Sequence, residues 1–317
     1  IIIYKLMKFK KPNFWDYKKP NIIAYLLLPL SYMLNFINFL NIKKKIKTQS
    51  IKTICVGNIY VGGTGKTPLA IKINQILNNL NFKTAFIKKD YYDQMDEQKM
   101  LSVNGQLFCE KNRIDALKKA INKNIDVAIF DDGLQDKELS YALTIVCFNI
   151  QSWIGNGFCL PSGPLRENLS SLKKYDAVFL NGNGEEVLTI QNIIRNIKPN
   201  LKVFEAQYIP LNLEKLDLNQ NYLAFSGIGN PDSFIKTLKK YNFKILKTLN
   251  FPDHYKYSDQ DIVKIKETAK NLKAKIITTE KDYNRLNKLN SEGISYLEVE
   301  LKVINEKELT NFLNRKL

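Results

Sequence analysis

Short apolar runs alternate with amphipathic segments along the chain. The run Thr53–Val56 leads into a glycine-rich stretch, after which apolar residues recur at helical spacing from Leu69 to Ile76. A second apolar run, Asp126–Phe130, ends directly in acidic residues. Short strands that alternate with helices are typical of a sheet whose strands run mostly parallel. The pattern therefore predicts an α/β fold.

The N-terminal segment Ala24–Leu40 is apolar and is followed by Lys43, Lys44, Lys45 and Lys47. On a helix, Ser31, Asn35 and Asn38 share one narrow polar stripe. The segment is short and contains Pro29, which makes it a poor transmembrane helix. An apolar helix beside lysines is typical of a membrane interface with anionic headgroups. We predict an amphipathic interfacial helix within residues 20–47, with a helix buried against the protein as the alternative.

Composition narrows the class of protein. The 317 residues are enough for two domains. Only five of the 48 basic residues are arginine, the residue that reads phosphates and base edges bidentately. The formal charge of +17 is therefore read as compositional bias, and no nucleic acid partner is expected. The four cysteines form no CxxC pair and the one histidine is distant from them in sequence, which fits a reducing cytosol without structural zinc.

The segment Val56–Pro68 reads VGNIYVGGTGKTP and is typical of a phosphate-binding loop between a strand and a helix. Lys66 would reach the β- and γ-phosphates, and the Thr67 hydroxyl would bind Mg²⁺. The strict pattern has glycine where this chain has Tyr60, but the GGTGKT core still predicts binding of a nucleoside triphosphate. The residues expected to contact the nucleotide are Gly62, Gly63, Thr64, Gly65, Lys66, Thr67 and Pro68.

A second site is predicted where the apolar run Asp126–Phe130 ends in Asp131 and Asp132. Carboxylates at the carboxyl end of a parallel strand, beside the phosphate loop, are well placed to hold Mg²⁺. We therefore expect Thr67, Asp131 and Asp132 to be the metal-binding residues.

Eight segments match the motifs of one enzyme family in the same order. They are PNFW (12–15), LLPLSYM (27–33), VGNIYVGGTGKTP (56–68), DDGLQ (131–135), LPSGPLRE (160–167), FSGIGNPDSF (225–234), FPDHY (251–255) and TTEKD (278–282). On these segments the chain resembles the tetraacyldisaccharide 4′-kinases, the lipid A kinases of Gram-negative bacteria. The ordered set spans nearly the whole chain and is far more specific than any one segment.

The resemblance implies transfer of the γ-phosphate of ATP, with Mg²⁺, to the 4′-hydroxyl of tetraacyldisaccharide 1-phosphate, which gives lipid IVA. It implies a peripheral, monomeric enzyme at the cytoplasmic face of the inner membrane, with the N-terminal helix as its anchor. It also implies a phosphate-loop domain and a second, smaller α/β domain that closes over the site. From shifts in composition we place the first domain at 1–205, a linker at 206–221 and the second domain at 222–317, whose terminal helix packs back on the first.

Roles for particular residues also follow from the resemblance. The segment Gln94–Gln98 matches the family's G-D-E-P motif, which makes Asp96 the expected catalytic base and His254 its coupled histidine. A carboxylate paired with imidazole stays basic near neutral pH. Lys66 is expected to act in catalysis as well as in binding. Gln135, Arg166 and Glu167 are expected near the acceptor, and Lys281 and Asp282 are weaker candidates.

The chain departs from the family pattern in three places. The family's S-R-G-Y-G loop reads Lys88–Tyr92 here, and the loop to Asp96 is shorter, which bears on the position of that side chain. The family's His after DDG-x-Q is Asp136, and the second His of D-H-H is Tyr255.

A different class of protein uses similar loops. Nucleotide-hydrolysing switches of the partitioning or metallochaperone type also carry G-G-x-G-K-T, commonly with a lysine where this chain has Val61. Such a membrane-associated switch would hydrolyse nucleotide without a lipid acceptor. A third alternative, a nucleic-acid-dependent ATPase, is supported only by the net charge. Such a protein would bind DNA or RNA with a strong dependence on salt.

Overall fold

The computed structural model describes residues 11–40, 46–47, 50–91, 94–182, 186–253, 255–287 and 291–317. Within them the strands, in chain order, are β1 (Ile46–Lys47), β2 (Lys52–Gly57), β3 (Thr84–Lys89), β4 (Leu107–Glu110), β5 (Val127–Asp131), β6 (Leu139–Ser140), β7 (Leu143–Asn149), β8 (Ala177–Asn181), β9 (Lys202–Pro210), β10 (Asn221–Ser226), β11 (Lys244–Asn250), β12 (Lys275–Thr279), β13 (Ile294–Leu297) and β14 (Val299–Val303). The helices are α1 (Ile22–Leu40), α2 (Lys66–Asn79), α3 (Met95–Asn104), α4 (Arg113–Asn122), α5 (Val187–Ile197), α6 (Pro231–Lys240), α7 (Asp259–Asn271), α8 (Glu280–Tyr283) and α9 (Glu306–Lys316).

The larger sheet has eight strands in the order β14-β9-β8-β7-β2-β5-β3-β4. Neighbouring strands run parallel except β14, which is antiparallel to β9. Helices α2, α3 and α9 cover one face, and α4 and α5 cover the other. Because both faces are covered, the central strands are apolar runs rather than alternating ones. The predicted α/β fold with a mostly parallel sheet is confirmed.

The register of the two central strands places the functional loops. In the pairing of β2 with β5, Val56 lies opposite Asp131. Every residue of β5 is buried, and β2 is buried after Lys52. Ligands of parallel α/β sheets bind beyond the carboxyl ends of the strands. The glycine-rich loop and the acidic pair therefore share one edge of the sheet.

A second sheet forms a smaller α/β unit, as predicted. Its four parallel strands have the order β11-β10-β12-β13. Helix α6 packs Phe234 and Leu238 into one apolar cluster of this unit, and α7 packs Ile262 and Ile265 into another. The sheet is thus sandwiched between helices, like the larger one.

The junction between the two sheets differs from the expected linker at 206–221. Strand β9 continues to Pro210, and β14 returns from the expected second domain to pair with residues 206–210. Helix α9 follows it, with Phe312 against Phe204 at 5.3 Å between ring centroids. Composition predicted a linker here. It could not predict the pairing of β9, because the antiparallel partner lies far along the chain and no local pattern marks such a pairing.

Helix α1 lies on the surface with its apolar side chains outward. Leu26 is 75% exposed and Phe36 is 62% exposed. Ser31 is buried, and its hydroxyl lies within hydrogen-bonding distance of the Cys159 carbonyl, at 3.0 Å, and of Ser162 Oγ, at 2.8 Å. The polar stripe therefore meets the protein at Ser31. This exposure argues against the alternative of a helix buried in the protein, and by length and composition alone the helix could also cross a membrane.

The lysine run that accompanies this helix in the prediction is only partly described. Lys43, Lys44 and Lys45 lie outside the described residues.

Candidate active site

The glycine-rich loop joins β2 to α2 and is shaped by its neighbours. Gly65 has a φ of +85°, and a Cβ at this position would lie 2.0 Å from Asn181 Nδ2, so glycine is required here. Within the loop, Asn58 Nδ2 donates to Thr64 Oγ1 at 3.0 Å. Helix α2 begins at Lys66. A glycine-rich turn that leads into a helix N-terminus is a ready anion-binding site.

Thr67, in the first turn of α2, contacts Asp131 at the end of β5. Its hydroxyl donates to Asp131 Oδ2 at 3.0 Å, and both side chains are buried. The other carboxylate oxygen, Asp131 Oδ1, is buried without a hydrogen-bond partner among the described residues. A buried, unpaired oxygen is costly unless a ligand satisfies it. Because Mg²⁺ prefers oxygen ligands, Thr67 and Asp131 fit this metal.

A buried lysine extends this pair. Lys88 lies near the carboxyl end of β3 and is 1% exposed. Its Nζ is 2.7 Å from Asp131 Oδ2 and 2.8 Å from Glu97 Oε2. Burial disfavours the ammonium form, but the carboxylates of Asp131 and Glu97 outweigh burial and raise the pKa of Lys88 above its ordinary value. The two carboxylates thus favour the ammonium form of Lys88 at this edge of the sheet.

Asp132 faces a different set of cations. Its Oδ1 is 3.0 Å from Arg166 Nη1, and its Oδ2 is 3.8 Å from Lys66 Nζ. Burial opposes ionisation, but Lys66, Arg166 and Arg113 together hold the pKa of Asp132 well below its usual range. Asp132 is thus ionised at neutral pH, and it orients Lys66 beside the glycine-rich loop.

The residues expected near the acceptor form a chain of hydrogen bonds. Arg166 Nη1 donates to Gln135 Oε1 at 3.1 Å, and Gln135 Nε2 donates to Glu167 Oε1 at 3.0 Å. The Tyr175 hydroxyl donates to the same Glu167 oxygen at 2.8 Å. Since Arg166 also contacts Asp132, this chain begins at the acidic pair. It also contacts the start of the glycine-rich loop, because Gln135 Nε2 donates to the Asn58 carbonyl at 2.9 Å.

Asp96 lies in the first turn of α3, where cations from the second unit hold it. Its Oδ2 is 2.6 Å from Arg285 Nη2 and 3.0 Å from Lys281 Nζ. Lys281 Nζ also lies 3.5 Å from Glu97 Oε1. Through Glu97 and Lys88 the cluster reaches Asp131. Asp96 therefore belongs to one ionic network with the Thr67–Asp131 pair, although the loop before it departs from the family pattern.

The second unit also touches the glycine-rich loop directly. A Cβ on Gly229 would lie 2.6 Å from the Gly63 backbone nitrogen and 2.9 Å from Asp253 Oδ2. Nearby, Asn230 Nδ2 donates to Ser152 Oγ at 3.1 Å. The close approach of the two backbones requires glycine at 229, and the candidate site lies between the two sheets.

Most of the predicted site residues meet at this place. The structure brings together Asp96, Gly62, Gly63, Thr64, Gly65, Lys66, Thr67, Pro68, Asp131, Asp132, Gln135, Arg166 and Glu167. His254, expected to pair with Asp96, lies outside the described residues. Asp136, which stands where the family has histidine, pairs with Arg113 at 3.3 Å. Tyr255, in place of the second histidine, donates to Asp261 at 3.1 Å.

Several residues of the site carried no predicted role, namely Lys88, Glu97, Asn181 and Arg285. A signal existed for Lys88, because a charged residue at the carboxyl end of an apolar strand next to a phosphate loop is unusual. Arg285 offered no such signal. It contacts Asp96, from which it is separated by 189 positions.

The chain is similar to known proteins over nearly its whole length. The family model described as tetraacyldisaccharide-1-P 4′-kinase matches residues 23–317. A tetraacyldisaccharide 4′-kinase of Pelagibacter ubique (strain HTCC1062) is 54% identical over 307 residues, which cover 97% of this chain and 98% of the relative. One from Rickettsia canadensis (strain McKiel) is 37% identical over 98% of both chains.

A solved structure shares the fold. The crystal structure of the "apo" form of LpxK from Aquifex aeolicus in complex with ATP superposes with a TM-score of 0.65 at 22% identity, and it covers 93% of this chain and 99% of that one. The family model and the relatives agree over nearly the full length. This chain belongs to the tetraacyldisaccharide-1-P 4′-kinase family.

Proposed function

We propose that the protein transfers the γ-phosphate of ATP to the 4′-hydroxyl of tetraacyldisaccharide 1-phosphate to give lipid IVA, a step of lipid A biosynthesis. Membership of the kinase family supports the reaction. The main structural support is the network of hydrogen bonds and ion pairs that joins the Thr67–Asp131 pair to Asp96. Phosphoryl transfer needs a phosphate cradle and a carboxylate for the acceptor in one place, and this network supplies both.

The nucleotide is held by the glycine-rich loop, from Gly62 to Pro68. Backbone N–H groups and the α2 N-terminus bind the phosphates, and Lys66 neutralises charge that develops during transfer. Thr67, Asp131 and Asp132 are the residues that would hold Mg²⁺. When bound, Mg²⁺ would neutralise phosphate charge and keep the phosphates in place.

The acceptor meets the other half of the site. Asp96 accepts the proton of the 4′-hydroxyl, and His254 is its proposed partner. Gln135, Arg166 and Glu167 bind the sugar or its phosphate, since a guanidinium forms strong hydrogen bonds with such oxygens. Arg166 already orients Gln135 through the 3.1 Å hydrogen bond, so the three side chains are arranged before the acceptor arrives.

The second unit is proposed to act as a closing domain. Its Lys281 and Arg285 hold Asp96, and its Gly229 touches Gly63, so the second unit contacts both the base and the phosphate loop. Exclusion of water by such closure favours transfer to the lipid over hydrolysis. Because both units come from one chain, the enzyme is proposed to act as a monomer.

We place the enzyme peripherally at the cytoplasmic face of the inner membrane, anchored by the outward apolar side of α1. Replacing Leu26 and Phe36 by Asp is expected to reduce binding to anionic lipid vesicles strongly, because each side chain contributes about 1.5–3 kcal/mol when buried in lipid. Both are exposed, so the fold should persist. Co-sedimentation with vesicles measures the effect. The control is Leu188→Asp, at a 72% exposed position on α5. Equal vesicle binding by wild-type protein, the Leu26 and Phe36 variant and the control would contradict the role of α1 as an anchor.

The reaction itself is tested with γ-labelled ATP and tetraacyldisaccharide 1-phosphate in detergent micelles, beside a reaction without acceptor. We expect label in the lipid, with little phosphate released when the acceptor is absent. Equal phosphate release with and without lipid would contradict the kinase and would indicate a nucleotide-hydrolysing switch.

A further inference from the structure

Lys88 occupies a position that stability alone does not explain. It is 1% exposed, and its partner Asp131 is equally buried. Moving an ammonium and carboxylates out of water costs about as much free energy as their attraction returns, so a buried ion pair adds little net stability. Apolar side chains in place of both Lys88 and its carboxylate partners would serve the core as well. The charge at this position therefore calls for a role in the site.

One contact of Lys88 determines how Asp131 presents its oxygens. The Lys88 ammonium and the Thr67 hydroxyl both donate to Oδ2, at 2.7 Å and 3.0 Å. Oδ1 is the oxygen without a partner among the described residues. Two donors on one side thus turn the other oxygen toward any further ligand.

The other contact leads to the proposed base. Glu97 Oε2 accepts from Lys88 at 2.8 Å, and Glu97 follows Asp96 in the first turn of α3. Strand β3, which carries Lys88, is paired with β5, which carries Asp131. The ammonium therefore ties the start of α3 to the central strands of the sheet.

We propose that Lys88 is a positioning residue for the kinase reaction, which this inference takes as given. Its ammonium joins Asp131 to the helix that carries Asp96, and its positive charge lowers the affinity of the site for Mg²⁺. Like charges repel, so a lysine beside the oxygen ligands weakens divalent cation binding. In return, the ammonium fixes the distance between Asp131, in the phosphate-binding half of the site, and Asp96, in the acceptor-binding half.

The test compares wild-type protein with Lys88→Met, which keeps an unbranched side chain, one atom shorter, and removes the charge. The first readout is the Mg²⁺ concentration that half-saturates binding of a fluorescent, non-hydrolysable ATP analogue, without turnover. This concentration should fall about tenfold in Lys88→Met, because a repelling charge is removed. The second is lipid phosphorylation, whose kcat should fall about 10²-fold, since misplacement of a reacting group by about 1 Å costs that much.

Matched variants separate positioning from loss of fold. Lys72→Met removes an ion pair of similar length, 2.8 Å to Glu306, away from the site and should leave both readouts unchanged. Lys88→Arg keeps the charge and should recover most of kcat. If Lys88→Met is unstable, Lys88→Gln removes the charge and keeps an N–H donor for the carboxylates, and the fall in the half-saturating Mg²⁺ concentration is expected again.

The outcomes distinguish this inference from the function on which it rests. If Lys88→Met keeps the wild-type kcat, the positioning role is overturned. If it needs as much or more Mg²⁺ than wild-type protein, the repulsion of Mg²⁺ by Lys88 is overturned. The kinase stands in both cases. If wild-type protein binds no analogue at any Mg²⁺ concentration, the proposed function and this inference both fail.

Discussion

Lys66→Met is expected to reduce lipid phosphorylation by about 10²–10³-fold at saturating ATP, the usual cost of removing one donor to a developing charge. Lys66 begins α2, where its ammonium lies 3.8 Å from Asp132 Oδ2. No other lysine of the glycine-rich loop is available to take its place. The effect should appear in kcat, because the charge on the transferring phosphoryl group grows in the transition state.

The fold of the Lys66→Met protein should persist. Asp132 keeps its contact to Arg166 at 3.0 Å, so the substitution does not leave its carboxylate without a cation. Lys72→Met, six residues further along the same helix, is the control and should retain full activity. Transfer of labelled phosphate to the lipid measures the activity of both variants, and the thermal unfolding midpoint measures their stability. Near-wild-type turnover in Lys66→Met would contradict its role at the phosphates.

The second large effect is expected for Asp96→Asn, which should lower kcat by about 10²–10⁴-fold, the range for loss of a general base. The amide has the size of the carboxylate but does not accept the proton of the 4′-hydroxyl. Nucleotide affinity should change little, because the phosphate loop is untouched. Single-turnover transfer to the lipid, together with equilibrium binding of a fluorescent ATP analogue, separates the two quantities.

The cations around Asp96 make this substitution tolerable. Arg285 keeps Asp282 Oδ1 at 2.9 Å and Lys281 keeps Glu97 Oε1 at 3.5 Å, so neither cation loses all of its carboxylate partners. Asp90→Asn, an exposed acid shortly before α3, is the matched control and should behave like wild type. A fully active Asp96→Asn enzyme would show that another group takes the proton.

Local patterns predicted the parts of the site that lie close together in sequence. The strand, glycine-rich loop and helix around Lys66 were predicted because apolar periodicity and glycine content act over a few residues. Asp131 was predicted as a metal ligand for the same reason, since a carboxylate that ends an apolar strand is a short-range signal. The mostly parallel α/β fold followed from the alternation of such units.

Contacts between distant parts of the chain were not predictable in this way. Asp96 was assigned through family resemblance, but its partner Arg285 was not assigned, because 189 positions separate them. Lys88 and Asp131 are 43 positions apart and meet through the pairing of β3 with β5. The strand β14, expected in the second domain, joins the larger sheet as its edge strand by antiparallel pairing with β9, which lies far earlier in the chain.

By itself, then, the sequence determined the local elements, the phosphate loop and, through its ordered motifs, the family. Backbone sterics and hydrophobic periodicity act between near neighbours, so their effects can be recognised in the sequence. Only the tertiary structure decided which charges share the site. The ion pairs of Lys88 and Asp96 depend on which strands lie side by side and on how the second unit meets the first, and these arrangements result from burial of apolar surface over the whole molecule.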